Sequence, residues 1–194
     1  MKDSRQYSAF RFPSRTPRQA RAFSLYNALV TLIVVSTVAT IAVPSLQQLL
    51  STQRMAGAIN TLITALHLAR SEAIRGGVNA ALCPSVDGRN CTNGSNWEAG
   101  YLLYIDRNAN NKVDADEFVV KIFEATNQMR LRTSPGRDHV RYTSSGLAPG
   151  SNATFTLCHV RGPGTPRTVV ISIAGRVRTS AHMPGGGAIV CPAT

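Results

Sequence analysis

Arg176 and Arg178 stand two residues apart in the element Gly175-Arg176-Val177-Arg178, within a stretch that reads as a strand. Side chains alternate along a strand, so both guanidiniums are expected on one face, roughly 6–7 Å apart. That interval suits successive phosphates of a nucleic-acid strand. Arg161 and Arg167, on a neighbouring Gly/Pro-rich segment, could join them. A solvent-facing strand would carry the same residues, so the charge balance has to weigh. From Arg130 to Thr194 the chain has eight arginines against one acid, Asp138, a net of +7. From Arg54 to Met129 seven basic and eight acidic residues leave −1, and Lys2 to Arg21 carry +5. A basic third of this kind attracts phosphates or acidic surfaces.

A second constellation lies between Asp106 and Glu117. Asp106, Asn108, Asn110, Asp114 and Glu117 place oxygens at positions 1, 3, 5, 9 and 12 of an EF-hand-like loop, with the Lys112 carbonyl between. The pattern suggests a calcium site. Asn111 stands where the sharp turn normally has glycine, and Asp and Asn are also the residues of any polar hairpin turn. Catalysis has little support. His67, His139, His159 and His182 are isolated in sequence, and Cys158 and His159 should face opposite sides of a strand. Pro184–Gly187 is glycine-rich but lacks the preceding strand and following helix of a phosphate loop. The chain does not read as an enzyme.

The four cysteines are Cys83, Cys91, Cys158 and Cys191. Sequence proximity favours Cys83–Cys91, which leaves Cys158–Cys191 to tether the C-terminal tail. Zinc would ask for closer pairs than the seven residues between Cys83 and Cys91. Disulfides require an oxidising compartment, and the N-terminal segments supply one. No charged residue occurs between Arg21 and Arg54, and the apolar run from Ala22 to Leu50 is long enough to cross a bilayer of roughly 30 Å. Its basic N-terminal flank holds that end in the cytoplasm. The run is longer than a signal peptide's apolar region and has no small-x-small cleavage site after it. The expected organisation is a cytoplasmic leader over 1–22, a membrane helix over 23–50 and an exported head over 51–194.

Beyond Pro44 a helical period continues through Ile59, Leu62, Ile63, Leu66, Ala69, Ala73 and Ile74, and Gly76-Gly77 ends it. The amphipathic half, 51–76, should pack on the head. Strands are predicted at Val78–Cys83, Tyr101–Asp106, Glu117–Glu124, Met129–Thr133, His139–Thr143, Thr154–His159, Thr168–Ile173 and Arg176–Thr179. Trp97 and Phe155 are expected in the core. The fold class is α+β, a long N-terminal helix packed on an antiparallel β-rich head.

Ala22-Phe23-Ser24-Leu25-Tyr26-Asn27, following a basic leader, resembles the processing site of type IV pilin-like proteins, and Pro44 falls where their helices kink. Ala22 stands where the family has glycine, and Asn27 where it has an acid. The resemblance implies cleavage between Ala22 and Phe23 by a prepilin peptidase, with methylation of the new N-terminus. Four further pieces are similar to the GspH/FimT branch of these proteins. They are Ala69-Arg70-Ser71-Glu72-Ala73-Ile74, the Cys83-x-Ser85-x-Asp87-Gly88…Cys91 stretch with Trp97 and Gly100 after it, the polar turn at Asp106, and Gly175-Arg176-Val177-Arg178. The branch implies a minor subunit anchored once in the inner membrane, its head in the periplasm, with other pilins or pseudopilins as partners. Some members bind DNA for natural transformation. Two readings stay open: a DNA-capturing minor pilin, or a purely structural pseudopilin of type II secretion.

Overall fold

The computed structural model describes residues 24–126, 128–160 and 164–191. One helix, α1 (Leu25–Gly76), is followed by β1 (Ala80–Pro84), β2 (Tyr101–Ile105), β3 (Val119–Phe123), β4 (Met129–Thr133), β5 (Val140–Tyr142), β6 (Ala153–His159), β7 (Arg167–Ile171) and β8 (Val177–Ser180). The chain divides into two compact units between Ala42 and Val43.

The described part of the first unit is helical. Leu25, Leu32, Val35 and Ile41 there are exposed, an apolar surface of the length and composition that suits the interior of a bilayer. Hydroxyls at Thr31, Ser36, Thr37 and Thr40 each donate to the carbonyl three residues back, so these polar groups are satisfied within the helix itself. By length and composition α1 can cross a membrane once, which fits a single-pass anchor.

In the second unit the remainder of α1 buries Met55, Leu62, Ala65, Leu66, Ala69 and Ala73. This stripe is turned slightly from the predicted one: Ile59 and Ile63 are half-buried, Ile74 is exposed and Ala65 is fully covered. Small residues at 65, 69 and 73 allow the helix to approach the sheets closely. Gly77, at φ +64°, ends α1 in the left-handed turn that suits glycine.

The eight strands form two antiparallel sheets, β3-β2-β1-β5 and β4-β6-β7-β8. All eight predicted strands are present, with ends shifted by at most two residues. β1 and β2 read as continuous apolar runs because both faces are covered. Ala80, Leu82, Tyr101 and Leu103 join the main core, while Ala81, Cys83, Leu102 and Tyr104 form a second cluster under Cys91, Val113 and Val119. In the second sheet β4 alternates, with Leu131 buried and its neighbours Arg130 and Arg132 half-buried. Trp97 lies at the junction of the sheets. Its amide donates to the Leu131 carbonyl at 2.9 Å, and its indole meets the Phe155 ring edge-on at 4.9 Å. Disulfides join Cys83 to Cys91 and Cys158 to Cys191, so no described cysteine is a free thiol.

Candidate nucleic-acid interface

The β7–β8 hairpin that carries the arginine pair is closed tightly. The Ser172 amide donates to the Arg176 carbonyl at 3.0 Å, the Gly175 amide to the Ser172 carbonyl at 2.8 Å, and the Arg176 amide to Ser172 Oγ at 3.2 Å. Gly175 sits at φ +71°, and a Cβ there would fall 2.2 Å from the Gly146 carbonyl oxygen. Only glycine satisfies both conditions. The Arg70 guanidinium of α1 donates to the Gly175 carbonyl at 3.3 Å. Two elements 105 residues apart, Ala69–Ile74 and Gly175–Arg178, therefore form one structure: the helix end holds the turn, and the turn presents the arginines. Burial pushes the Tyr142 phenol, also in this region, up to about 12, against a downward pull from the Arg70 charge.

Arg178 lies in β8, and Arg176 immediately precedes it rather than starting the strand. Both are exposed. Val169 and Ile171 are buried and pair with Thr179 and Val177, so these four residues mark the face toward the core. Arg176 and Arg178 alternate with them and share the opposite, outer face.

Arg167 does not join this pair. It opens β7 opposite the buried Leu157, on the side that faces α1. There it lines a hollow of about 440 Å³ with Ile59 and Ile63 of the helix. The segment it occupies is a strand and not a loop, and strand alternation is what separates it from Arg178. Arg161 lies outside the described residues, as do Ala22 and Phe23. Among the described residues Arg132 pairs with Glu98 at 2.7 Å and Arg141 with Asp106 at 3.6 Å. Arg167, Arg176 and Arg178 have no acidic partner among the described residues.

The oxygen-bearing residues of the Asp106–Glu117 loop are drawn together by hydrogen bonds within the loop. Among the described residues no group of three or more His, Cys, Asp or Glu is placed to hold a metal ion. The carboxylates have other partners. Asp106 is buried, accepts from the Asn110 and Asn111 amides at 3.1 and 3.3 Å, and faces Arg141. Glu117 accepts from the Arg107 and Asp114 amides at 2.7 and 3.3 Å. Asp114 accepts from the Asn108 and Asn110 side-chain amides, which holds its carboxyl below the usual range. The loop is a self-capped turn; Asn111 at φ +61° adopts the conformation that glycine would have supplied.

The histidines contact different partners. His139 Nδ1 lies 2.7 Å from Asp138, and His159 reaches Ser51 Oγ at 3.2 Å. Burial holds the His159 imidazole below its ordinary range. Arg137, which the sequence does not single out, also lies at the second sheet. Its Nη1 donates to the Gly150 carbonyl at 2.6 Å and its Nη2 to Asn152 Oδ1 at 3.4 Å, and it lines the outer face of the second sheet. No local signal marks it, because its neighbours on that face come from other strands.

A long apolar helix continuing into an amphipathic half, followed in the chain by a disulfide-bonded antiparallel head with Arg70 locked to the Gly175 turn, defines a pilin-like subunit. The chain belongs to the family of the type II transport protein GspH, whose model matches residues 58–175. Arg176 and Arg178 lie just beyond the matched span. The pilin-like protein PilA1 of Thermus thermophilus is 32% identical over 166 residues, which is 81% of this chain and 97% of the relative. Among solved structures, the type IV minor pilin FimU of Pseudomonas aeruginosa PAO1 is similar in fold. Its TM-score is 0.51 at 19% identity, over 66% of this chain and 90% of that one.

Proposed function

We propose that this chain is a minor subunit of a type IV pilus or a type II secretion pseudopilus, and that its head captures DNA through Arg176 and Arg178. One observation carries the DNA reading: both guanidiniums share an exposed face, lack an acidic partner among the described residues, and sit on a hairpin fixed to α1. Two cations on a strand contact phosphates, which position a nucleic acid without reading its sequence. Binding should therefore tolerate any sequence and fall steeply with salt, by about 0.9 log units per log unit of salt for each duplex phosphate neutralised. Arg176→Ala with Arg178→Ala in the detergent-solubilised full chain should lower that slope by about two contacts in a gel-shift titration. Normal binding by the folded double variant would remove these residues from the site.

The second reading is a structural pseudopilin with protein partners alone. It is favoured by the family's description as a type II transport protein, and it stands if the wild type binds no DNA at low salt. In both readings α1 anchors the subunit in the inner membrane with its head in the periplasm, and neighbouring pilin helices replace lipid on assembly. A prepilin peptidase removes the leader after Ala22. A mature N-terminus at Phe23 by mass spectrometry is the expected result, and an intact leader on membrane-resident protein would refute it. Asn27 replaces the acid that pairs with a neighbouring subunit's N-terminus, so a filament-tip position suits this chain better than the shaft. If Asn27→Glu changes nothing and the wild type is found along the shaft, that placement fails.

A further inference from the structure

Side chains on the outer face of the second sheet form a row that crosses all four strands. Arg178 of β8 is opposite Val170 of β7, and Val170 is opposite Thr154 of β6. Ser134, one residue beyond β4, continues the row: its amide donates to the Thr154 carbonyl at 2.9 Å, and its Oγ accepts from the Thr154 amide at 3.4 Å. Three strand spacings make this row about 14 Å long. Arg178 stands at one end and Arg137 at the other. Two adjoining hollows, of about 380 and 270 Å³, lie along it. They share Val170 and Pro184, so the tail turn around Pro184 forms a common wall. The Cys158–Cys191 bond pins that tail to β6.

We infer that this row is a built trough for the sugar–phosphate backbone of one nucleic-acid strand, extending the Arg176/Arg178 pair to Arg137. The inference rests on the DNA reading above. Its floor offers the hydroxyls of Ser134 and Thr154. Arg137 is held in place by Gly150 and Asn152 with donors left over, so little ordering is needed when an anion arrives. Glu98, on the β1–β2 connection, is engaged by Arg132 of β4 and not by the trough arginines. The length accommodates roughly three consecutive phosphates of an extended strand. An acidic peptide would lack a sugar for the hydroxyl floor.

The test is anisotropy of a fluorescein-labelled oligothymidylate, titrated with the full chain in nonionic detergent at several salt concentrations. Arg137→Gln and Arg178→Gln should each weaken binding about fivefold to tenfold and flatten the log–log salt slope by about 0.7, the single-strand value for one contact. Arg89→Gln, an equal change of charge on the Cys83–Cys91 loop, should leave both unchanged. Equal losses from Arg89→Gln and Arg137→Gln would reduce the effect to net charge and overturn the trough, while leaving nucleic-acid binding in place. No binding by the wild type would instead overturn the DNA reading itself. If Arg137→Gln loses its fold, Thr154→Asp, which puts a carboxylate on the floor, must abolish binding; retained binding by a folded Thr154→Asp refutes the trough.

Discussion

Replacing Gly175 by alanine tests the link between the helix end and the arginine hairpin. At φ +71° an L-residue pays for the left-handed conformation, roughly 1–2 kcal/mol. The new methyl would also meet the Gly146 carbonyl oxygen at 2.2 Å, a backbone atom that no rotamer change can remove. The turn must shift, and the shift breaks the hydrogen bond from Arg70 to the Gly175 carbonyl. A bond from a charged donor contributes about 1.5–3 kcal/mol. Together the destabilisation should reach about 2.5–5 kcal/mol. Gly77 is the internal control. Its φ of +64° carries the same conformational cost, but a Cβ there meets nothing within 4 Å, so Gly77→Ala should lose only about 1–2 kcal/mol. The assay is urea unfolding of the full chain in nonionic detergent, followed by the emission of Trp97, the single tryptophan and fully buried. Equal unfolding midpoints for the two variants, at unchanged slope, would refute the argument.

Further predictions concern the disulfides, Arg70 and His159. Removing Cys158–Cys191, which spans 33 residues, should cost about 3.7 kcal/mol, and removing Cys83–Cys91, which spans 8, about 2.5 kcal/mol, from loop-closure entropy. Paired serine variants in the same unfolding assay check the order, and a larger loss from the shorter loop would contradict it. Arg70→Met should destabilise by about 1.5–3 kcal/mol, with partial rescue by Arg70→Lys; no loss would show that the Gly175 contact is incidental. His159 favours its neutral form when folded. Its contribution is therefore constant at high pH and becomes unfavourable as pH falls through the unfolded value of about 6.5. The decline ends below the folded pKa. A His159→Asn variant should show a shallower loss of stability on acidification, and a slope identical to the wild type would exclude the effect.

The sequence alone reaches whatever depends on neighbours along the chain. An uncharged apolar run with a basic flank reads as a membrane helix because length and hydropathy are local properties. The eight strands were legible from alternation and from the glycines and prolines between them. The cysteine pairs were legible because proximity selects Cys83–Cys91 and two cysteines then remain. Sequence could not decide which arginines meet. Arg167 and Arg178 look like members of one basic cluster, yet the antiparallel register sends Arg167 to the helix side and Arg178 to the outer face. Arg137, remote from both in sequence, lies at the far end of Arg178's own row. The Asp106 loop has metal-like spacing that is local, whereas the Arg141 guanidinium beside its first carboxylate comes from β5 and is brought there by the packing of the strands. Local pattern fixes which face of an element a side chain takes; only the packing of one strand beside another decides what that face meets.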